Sequence, residues 1–308
     1  MACKEPTKFF PVRKTPALPA NALRGKVAFV TGGGSGLGKA MATLFAQLGA
    51  RVAIAARRME VLEKTAQEIR QKTGGEVVAI QLDVKNPAEV AKAADECVSK
   101  FGLPNIVVNN AAGNFIMATE RLSPNAFRTV IDIVLIGTAN VTLEFGRRLI
   151  QAKQGCSFLS ITTPYARHGA PFVVPSAAAK AGVENFARSL ASEWGKYGMR
   201  FNCIAPGPIP TEGAFGRLNP GSMEDASAVA GQTLPEGRVG EPEELANLAA
   251  FVVSDYGTWL NGSVIDFDGG QQFLGNGAGF TNTLHEKTPE DWAQIEALIR
   301  GRTGKSKM

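Results

Sequence analysis

Apolar residues gather in short runs along the chain: KVAFVT at 26–31, RVAIAA at 51–56, VVAIQLD at 77–83, IVVNNA at 106–111, FLSITT at 158–163 and FNCIAPG at 201–207. Runs this short and this rarely broken by polar residues predict strands buried on both faces, and the amphipathic stretches between them predict the covering helices. The alternation specifies an α/β fold, a doubly wound parallel sheet of Rossmann-like type, with ligands at the carboxyl ends of the strands. Two regions depart from it. Residues 208–238 are rich in Gly and Pro and long for a connection, as a substrate-covering lobe would be. Further on, Trp292, Ile295, Leu298 and Ile299 fall at helical spacing after Thr288-Pro289-Glu290, which predicts a packing helix. The expected plan is an N-terminal arm at 1–23, one nucleotide-binding domain at 24–270 and a C-terminal extension at 271–308.

Composition narrows the classes. With 308 residues and 44% hydrophobic content, the chain can bury a substantial core. The net charge of +5 is spread out, and without a basic stripe nucleic acid is not an expected partner. Cys3, Cys97, Cys156 and Cys203 show no CxxC spacing, and His168 and His285 are the only histidines, so no metal is expected and a reducing compartment is. No uncharged apolar run approaches the roughly 18 residues of a membrane span. The opening MACKEPTKFFPVRKTP is basic like a mitochondrial transit peptide, but it lacks serine and is broken by prolines. The closing Ser306-Lys307-Met308 is one residue from the peroxisomal Ser-Lys-Leu address. A peroxisomal matrix location is the expectation, with the mitochondrial matrix as the alternative.

Chemistry enters where the first strand runs into Thr31-Gly32-Gly33-Gly34-Ser35-Gly36-Leu37-Gly38 and then a helix near Lys39. Glycines let the backbone turn sharply and approach a pyrophosphate, which the free N–H groups and dipole of a helix N-terminus favour. After the first strand of a βαβ unit, this GxxxGxG turn predicts a dinucleotide. Strand two ends not in the acidic residue that would hold an NAD ribose but in Arg57-Arg58, which suit a 2′-phosphate and so NADPH. Asp83 closes strand three, where a carboxylate accepts from the adenine amino group. Asn109-Asn110-Ala111-Ala112-Gly113 closes strand four with small residues that let backbone lie near the cofactor.

TGGGSGLG, the NNAAG turn, Lys180 on a helix and Pro206-Gly207-Pro208-Ile209 together resemble the short-chain dehydrogenase/reductase family across residues 24–270. Most members place a tyrosine four positions before the lysine, where this chain has Ser176. Thr162-Thr163 and Val134 occupy the neighbourhoods of the usual serine and asparagine. These departures, with NNAAGNF, ERLSPNAF, ITTPYA, FVVPSAAAKAGVE, EWGKYGMRFN, PGPI and ELANLAAF, make the chain similar to the mitochondrial-type 2,4-dienoyl-CoA reductases from about Phe9 to Arg300. That resemblance implies an NADPH-dependent reduction of 2,4-dienoyl-CoA to 3-enoyl-CoA, an auxiliary step of unsaturated fatty-acid β-oxidation, in a homotetramer.

It also implies the site. Tyr165, from the strand-five loop, and Asn114 would hydrogen-bond the thioester oxygen of a dienolate, Ser176 would orient the phenol, and Lys180 would hold the nicotinamide ribose. Pro206 to Ile209 would line the cofactor. Arg57, Lys85, Phe115, Ser123 and Arg217 would surround the CoA thioester, with Lys85 departing from the usual arginine. No histidine or carboxylate stands out as the acid, leaving water as the proton source at the α carbon. The alternatives are a reductase of another acyl thioester, 3-oxoacyl or enoyl, and a non-catalytic NADP-binding protein.

Overall fold

The computed structural model describes residues 10–211, 234–274, 284 and 287–303. Seven strands run parallel: β1 Val27–Thr31, β2 Arg51–Ala56, β3 Val77–Gln81, β4 Ile106–Asn109, β5 Cys156–Ile161, β6 Met199–Pro206 and β7 Val264–Phe267. Their order across the sheet is β3-β2-β1-β4-β5-β6-β7. The order reverses between β1 and β4, and such a switch point opens a crevice at the carboxyl ends of the strands. All six expected strands are present; β7 is an addition that the apolar runs do not show.

Ten α-helices lie among the described residues: α1 Gly36–Gln47, α2 Met59–Thr73, α3 Pro87–Phe101, α4 Pro124–Ile131, α5 Gly137–Ala152, α6 Tyr165–His168, α7 Val174–Trp194, α8 Pro242–Val253, α9 Gln271–Leu274 and α10 Pro289–Thr303. On one face of the sheet, Met41, Phe45, Leu62, Ile69, Leu245 and Ala249 from α1, α2 and α8 pack onto Val30, Ile54 and Ile204. On the other, Val90, Cys97, Phe145 and Leu190 from α3, α5 and α7 pack onto Phe29, Phe158 and Phe201. Because both faces are covered, the strands are apolar at successive positions rather than alternating.

A π-helical segment, Asp132–Ile136, joins α4 to α5. The resulting run, Pro124–Ala152, is long and apolar enough to cross a membrane by length and composition. Here Val141, Phe145 and Leu149 point into the sheet core, and Val130 and Val134 form a second cluster with Ala179 and Val183 of α7. It is a core element of this fold.

The chain before β1 is also held. The Asn247 carboxamide of α8 accepts from Ala17 N at 2.8 Å and donates to Thr15 O at 3.0 Å, while Lys14 pairs with Glu241 at 3.1 Å. Leu18 packs against the core and Leu23 lies within it.

Candidate active site

The glycine turn is built from both sides of the switch point. Thr31 Oγ1 at the end of β1 donates to Val108 O at 3.1 Å and accepts from Asn110 N and Ala111 N, each at 3.0 Å. The Asn110 carboxamide then donates to Thr31 O at 3.0 Å. These bonds bring the two strand-end turns together, and two glycines are required by that approach. Gly32 has φ +65°. A Cβ on Gly38 would fall 2.3 Å from Gly32 O and 2.6 Å from Asn110 Nδ2. Gly33 and Gly34 complete the turn, with Gly34 O accepting from Thr65 Oγ1 at 2.8 Å. Helix α1 starts at Gly36, three residues before the expected Lys39, and Ser35 at its N-cap makes no side-chain capping bond. The first turn carries no acidic residue. This uncapped helix N-terminus, with Thr211 beside Gly36, fits the pyrophosphate of a dinucleotide.

The other expected cofactor residues follow the carboxyl ends of neighbouring strands. Arg57 and Arg58 follow β2, are exposed, and have no carboxylate partner among the described residues. Pro206 ends β6, and Gly207 N donates to Phe267 O at 3.0 Å, so that a Cβ on Gly207 would sit 2.7 Å from Asp268 Cα. Pro208 O accepts from Gly240 N at 3.0 Å, and Ile209 is buried. Asp83, two residues beyond β3, accepts from Lys85 N at 3.1 Å, and the Lys85 ammonium is 3.6 Å from its other oxygen. Asp83 and Lys85 therefore form one unit just past β3.

The chemical end lies past β4 and β5. Asn114 Oδ1 accepts from Phe115 N at 2.9 Å, which fixes the carboxamide so that Nδ2 donates to the Tyr165 hydroxyl at 3.2 Å. Ser176 Oγ, at the buried start of α7, is 3.4 Å from the same hydroxyl. One turn further on, Lys180 is buried and its ammonium donates to Ile161 O at the end of β5. Burial pushes the Lys180 ammonium down to about 8, against an ordinary value of 10.5. In a sequence window, PSAAAKAG presents a surface lysine; the fold makes it an interior cation.

The expected substrate residues are more dispersed. Phe115 packs against Val130, Val134, Ala179 and Val183. Ser123 is exposed and caps α4, accepting from Ala126 N at 3.2 Å. Arg217 and residues 212–233 of the expected lobe lie outside the described residues. Sequence reasoning missed an apolar rim beside the phenol. Ile116 and Met117 follow Phe115, Met117 N donates to Phe172 O at 2.9 Å, and all three of Ile116, Met117 and Phe172 are exposed. Phe172 also has φ +66°, a strained conformation for an aromatic residue. Exposed apolar side chains in loops after β4 and β5 were the available signal.

Comparison with known proteins shows the family and the fold. A family model described as Enoyl-(Acyl carrier protein) reductase matches residues 32–272. An oxidoreductase of Caenorhabditis elegans, F53C11.3, is 64% identical over 306 residues, covering 99% of this chain and 98% of its own. A second Caenorhabditis elegans protein, a probable 2,4-dienoyl-CoA reductase described as (3E)-enoyl-CoA-producing, is 58% identical over the full length of both. The crystal structure of a short-chain dehydrogenase from Bacillus anthracis superposes with a TM-score of 0.76 at 42% identity, covering 83% of this chain and 100% of that one.

Proposed function

This chain belongs to the short-chain dehydrogenase/reductase family, and on that premise we propose that it reduces 2,4-dienoyl-CoA to 3-enoyl-CoA with NADPH, in the oxidation of unsaturated fatty acids. One observation carries the reading: the hydrogen-bonded set Asn114, Tyr165 and Ser176 above the buried Lys180. The phenol comes from the loop after β5, and a hydroxyl stands at the helix position that carries the tyrosine in most of the family. The relative of 58% identity bears the same activity in its name.

The nicotinamide supplies a hydride when bound, and the δ carbon of a conjugated dienoyl thioester is the acceptor that places the resulting negative charge on the thioester oxygen. The chain's part is to stabilise that charge. A carboxamide nitrogen has two N–H bonds. Asn114 spends one on the Tyr165 hydroxyl, which leaves the other for the oxyanion. The Tyr165 hydroxyl is the second donor, with Ser176 fixing its direction. Two preorganised donors at developing charge lower a barrier by roughly 3–4 kcal/mol each. Lys180 uses one N–H on Ile161 O and keeps two for the nicotinamide ribose hydroxyls. Arg57 and Arg58 receive the 2′-phosphate, with Asp83 at the adenine, and Lys85 faces the phosphates of CoA. The acyl chain runs along Phe115, Ile116, Met117 and Phe172. Protonation at the α carbon is by water, because no carboxylate or imidazole hydrogen-bonds Tyr165, Asn114 or Ser176 among the described residues.

On this reading the enzyme is a homotetramer. The proposed location is the peroxisomal matrix; import of a reporter carrying Ser306-Lys307-Met308, which lie outside the described residues, tests that address. The central test is NADPH oxidation with trans-2,trans-4-hexadienoyl-CoA, with the product double bond located by mass spectrometry. A 3-enoyl product supports the assignment. Turnover of 3-oxoacyl-CoA alone, or of neither substrate by folded protein that binds NADPH, overturns it.

A further inference from the structure

Helix α6, Tyr165–His168, is a single turn, too short to hold a side chain in place through its own backbone bonds. Its turn bonds include those from Ala166 N, Arg167 N and Gly169 N to Thr163 O, Pro164 O and Tyr165 O. Beyond the contacts of the phenol itself with Asn114 and Ser176, Arg167 ties this turn to distant elements. Its guanidinium makes a two-pronged pair with Asp266 on β7, one prong at 2.9 Å, and its Nε lies 3.9 Å from Glu184 on α7. Glu184 is almost fully buried and shared: Thr162 Oγ1 at the end of β5 donates to it at 3.1 Å, and Arg188 lies 3.4 Å away. Glu184 follows Lys180 by one helical turn and Ser176 by two.

We propose that Arg167 is a positioning residue for Tyr165: its guanidinium latches the one-turn helix carrying the phenol to β7 and to the helix that carries Ser176 and Lys180. A guanidinium suits this task because its planar fork fixes direction as well as distance, which a lysine would not. The family's usual tyrosine needs no such latch, since it rides on the long helix itself. In this chain the phenol has moved to a loop, and a geometry held on two elements has replaced one. The inference rests on the reading of Tyr165 as the oxyanion donor.

The test is a cycle of Arg167→Met in the wild-type and Tyr165→Phe backgrounds, read by kcat and KM for dienoyl-CoA and by fluorine NMR of protein labelled with 3-fluorotyrosine. Tyr165, Tyr197 and Tyr256 are the only tyrosines, so the spectrum has three resonances. A misplacement of about 1 Å can cost up to a hundredfold. The expected result is a kcat loss of roughly tenfold or more in the wild-type background, with KM unchanged, and under about twofold where the phenol is already absent. The Tyr165 resonance shifts while the other two stay, and Arg167→Lys restores part of kcat. An equal loss in both backgrounds, or an unmoved Tyr165 resonance, overturns the latch and leaves Arg167 as fold support. Should Arg167→Met not fold, Asp266→Asn, which spares the Glu184 side, carries the same comparison. A wild type inactive on dienoyl-CoA sinks the functional reading separately, and the fluorine spectrum still judges the latch.

Discussion

Asn114 Nδ2 lies 3.2 Å from the Tyr165 hydroxyl, a contact made across the adjacent strands β4 and β5 by residues 51 positions apart. Each residue is oriented by something else, Asn114 by Phe115 N and Tyr165 by Ser176, so neither needs the other to stay in place. Tyr165→Phe and Asn114→Ala should therefore each lower kcat with dienoyl-CoA by roughly a hundredfold or more. Melting temperatures should move little, because both side chains are only partly buried. Wild-type kcat in a folded Tyr165→Phe would remove the phenol from the mechanism.

The proposed choice of NADPH rests on charge at the end of β2. Arg57 and Arg58 are exposed with no carboxylate partner among the described residues, so their removal leaves nothing buried and uncompensated. A charge-assisted hydrogen bond is worth about 1.5–3 kcal/mol. Arg57→Ala with Arg58→Ala should raise KM for NADPH by roughly tenfold to a hundredfold while leaving KM for NADH within about twofold. Steady-state kinetics with both cofactors decides it, and a parallel rise for NADH would mean the pair serves the fold or the CoA instead.

The close approach at the glycine turn is testable by a single methyl group. Gly38→Ala would place Cβ 2.3 Å from Gly32 O, a backbone atom that cannot swing aside. Overpacking of this kind costs about 1–3 kcal/mol. The variant should melt several degrees lower and lose NADPH binding, as followed by nicotinamide fluorescence. Unchanged affinity would show that the turn can open without cost.

The strands of the fold were legible because fully buried strands write themselves as apolar runs, and the six expected ones lie within two or three residues of their observed limits. Strand β7 was not, since Val264–Phe267 is four half-buried residues with Asp266 among them. The π segment Asp132–Ile136 left no local sign: it is held by tertiary packing of Val134 against α7 and by Thr138 Oγ1 bonding Val134 O at 2.7 Å. In the site, the glycine turn reads directly, because only glycine fits where two backbones meet. Asn114, Tyr165, Ser176 and Lys180 carry no shared periodicity, and only strand order brings them together. The same holds for Arg167, Glu184 and Asp266, which lie on α6, α7 and β7 and were not singled out.

The thiols should be silent in the native protein. Cys97, Cys156 and Cys203 are buried without disulfides, and burial pushes the Cys97 and Cys203 thiols up to about 12 and that of Cys156 further up. The thiolate is the reactive form, so all three resist a thiol reagent at neutral pH. Titration with a disulfide reagent should count at most one fast thiol, Cys3, in the native protein and four in denaturant. Two or more fast native thiols would mean that the sheet core opens on that timescale.

Lys180 links stability and activity to pH with opposite signs. Its ammonium is pushed down to about 8 by burial, so between there and 10.5 the unfolded chain binds a proton that the folded chain does not. Stability therefore rises with pH across that window, and below it the buried charge costs about 3 kcal/mol. Lys180→Met should be more stable than wild type in urea at pH 7 by an amount of that order, and the difference should shrink by pH 10. Activity runs the other way. On the proposed reading the ammonium holds the ribose, so kcat/KM for NADPH, which reports the free enzyme, should fall about tenfold per pH unit above pH 8. Lys180→Arg, whose side chain stays charged, should lose that alkaline limb whatever its absolute rate. A limb that survives in the arginine variant would assign the titration to another group.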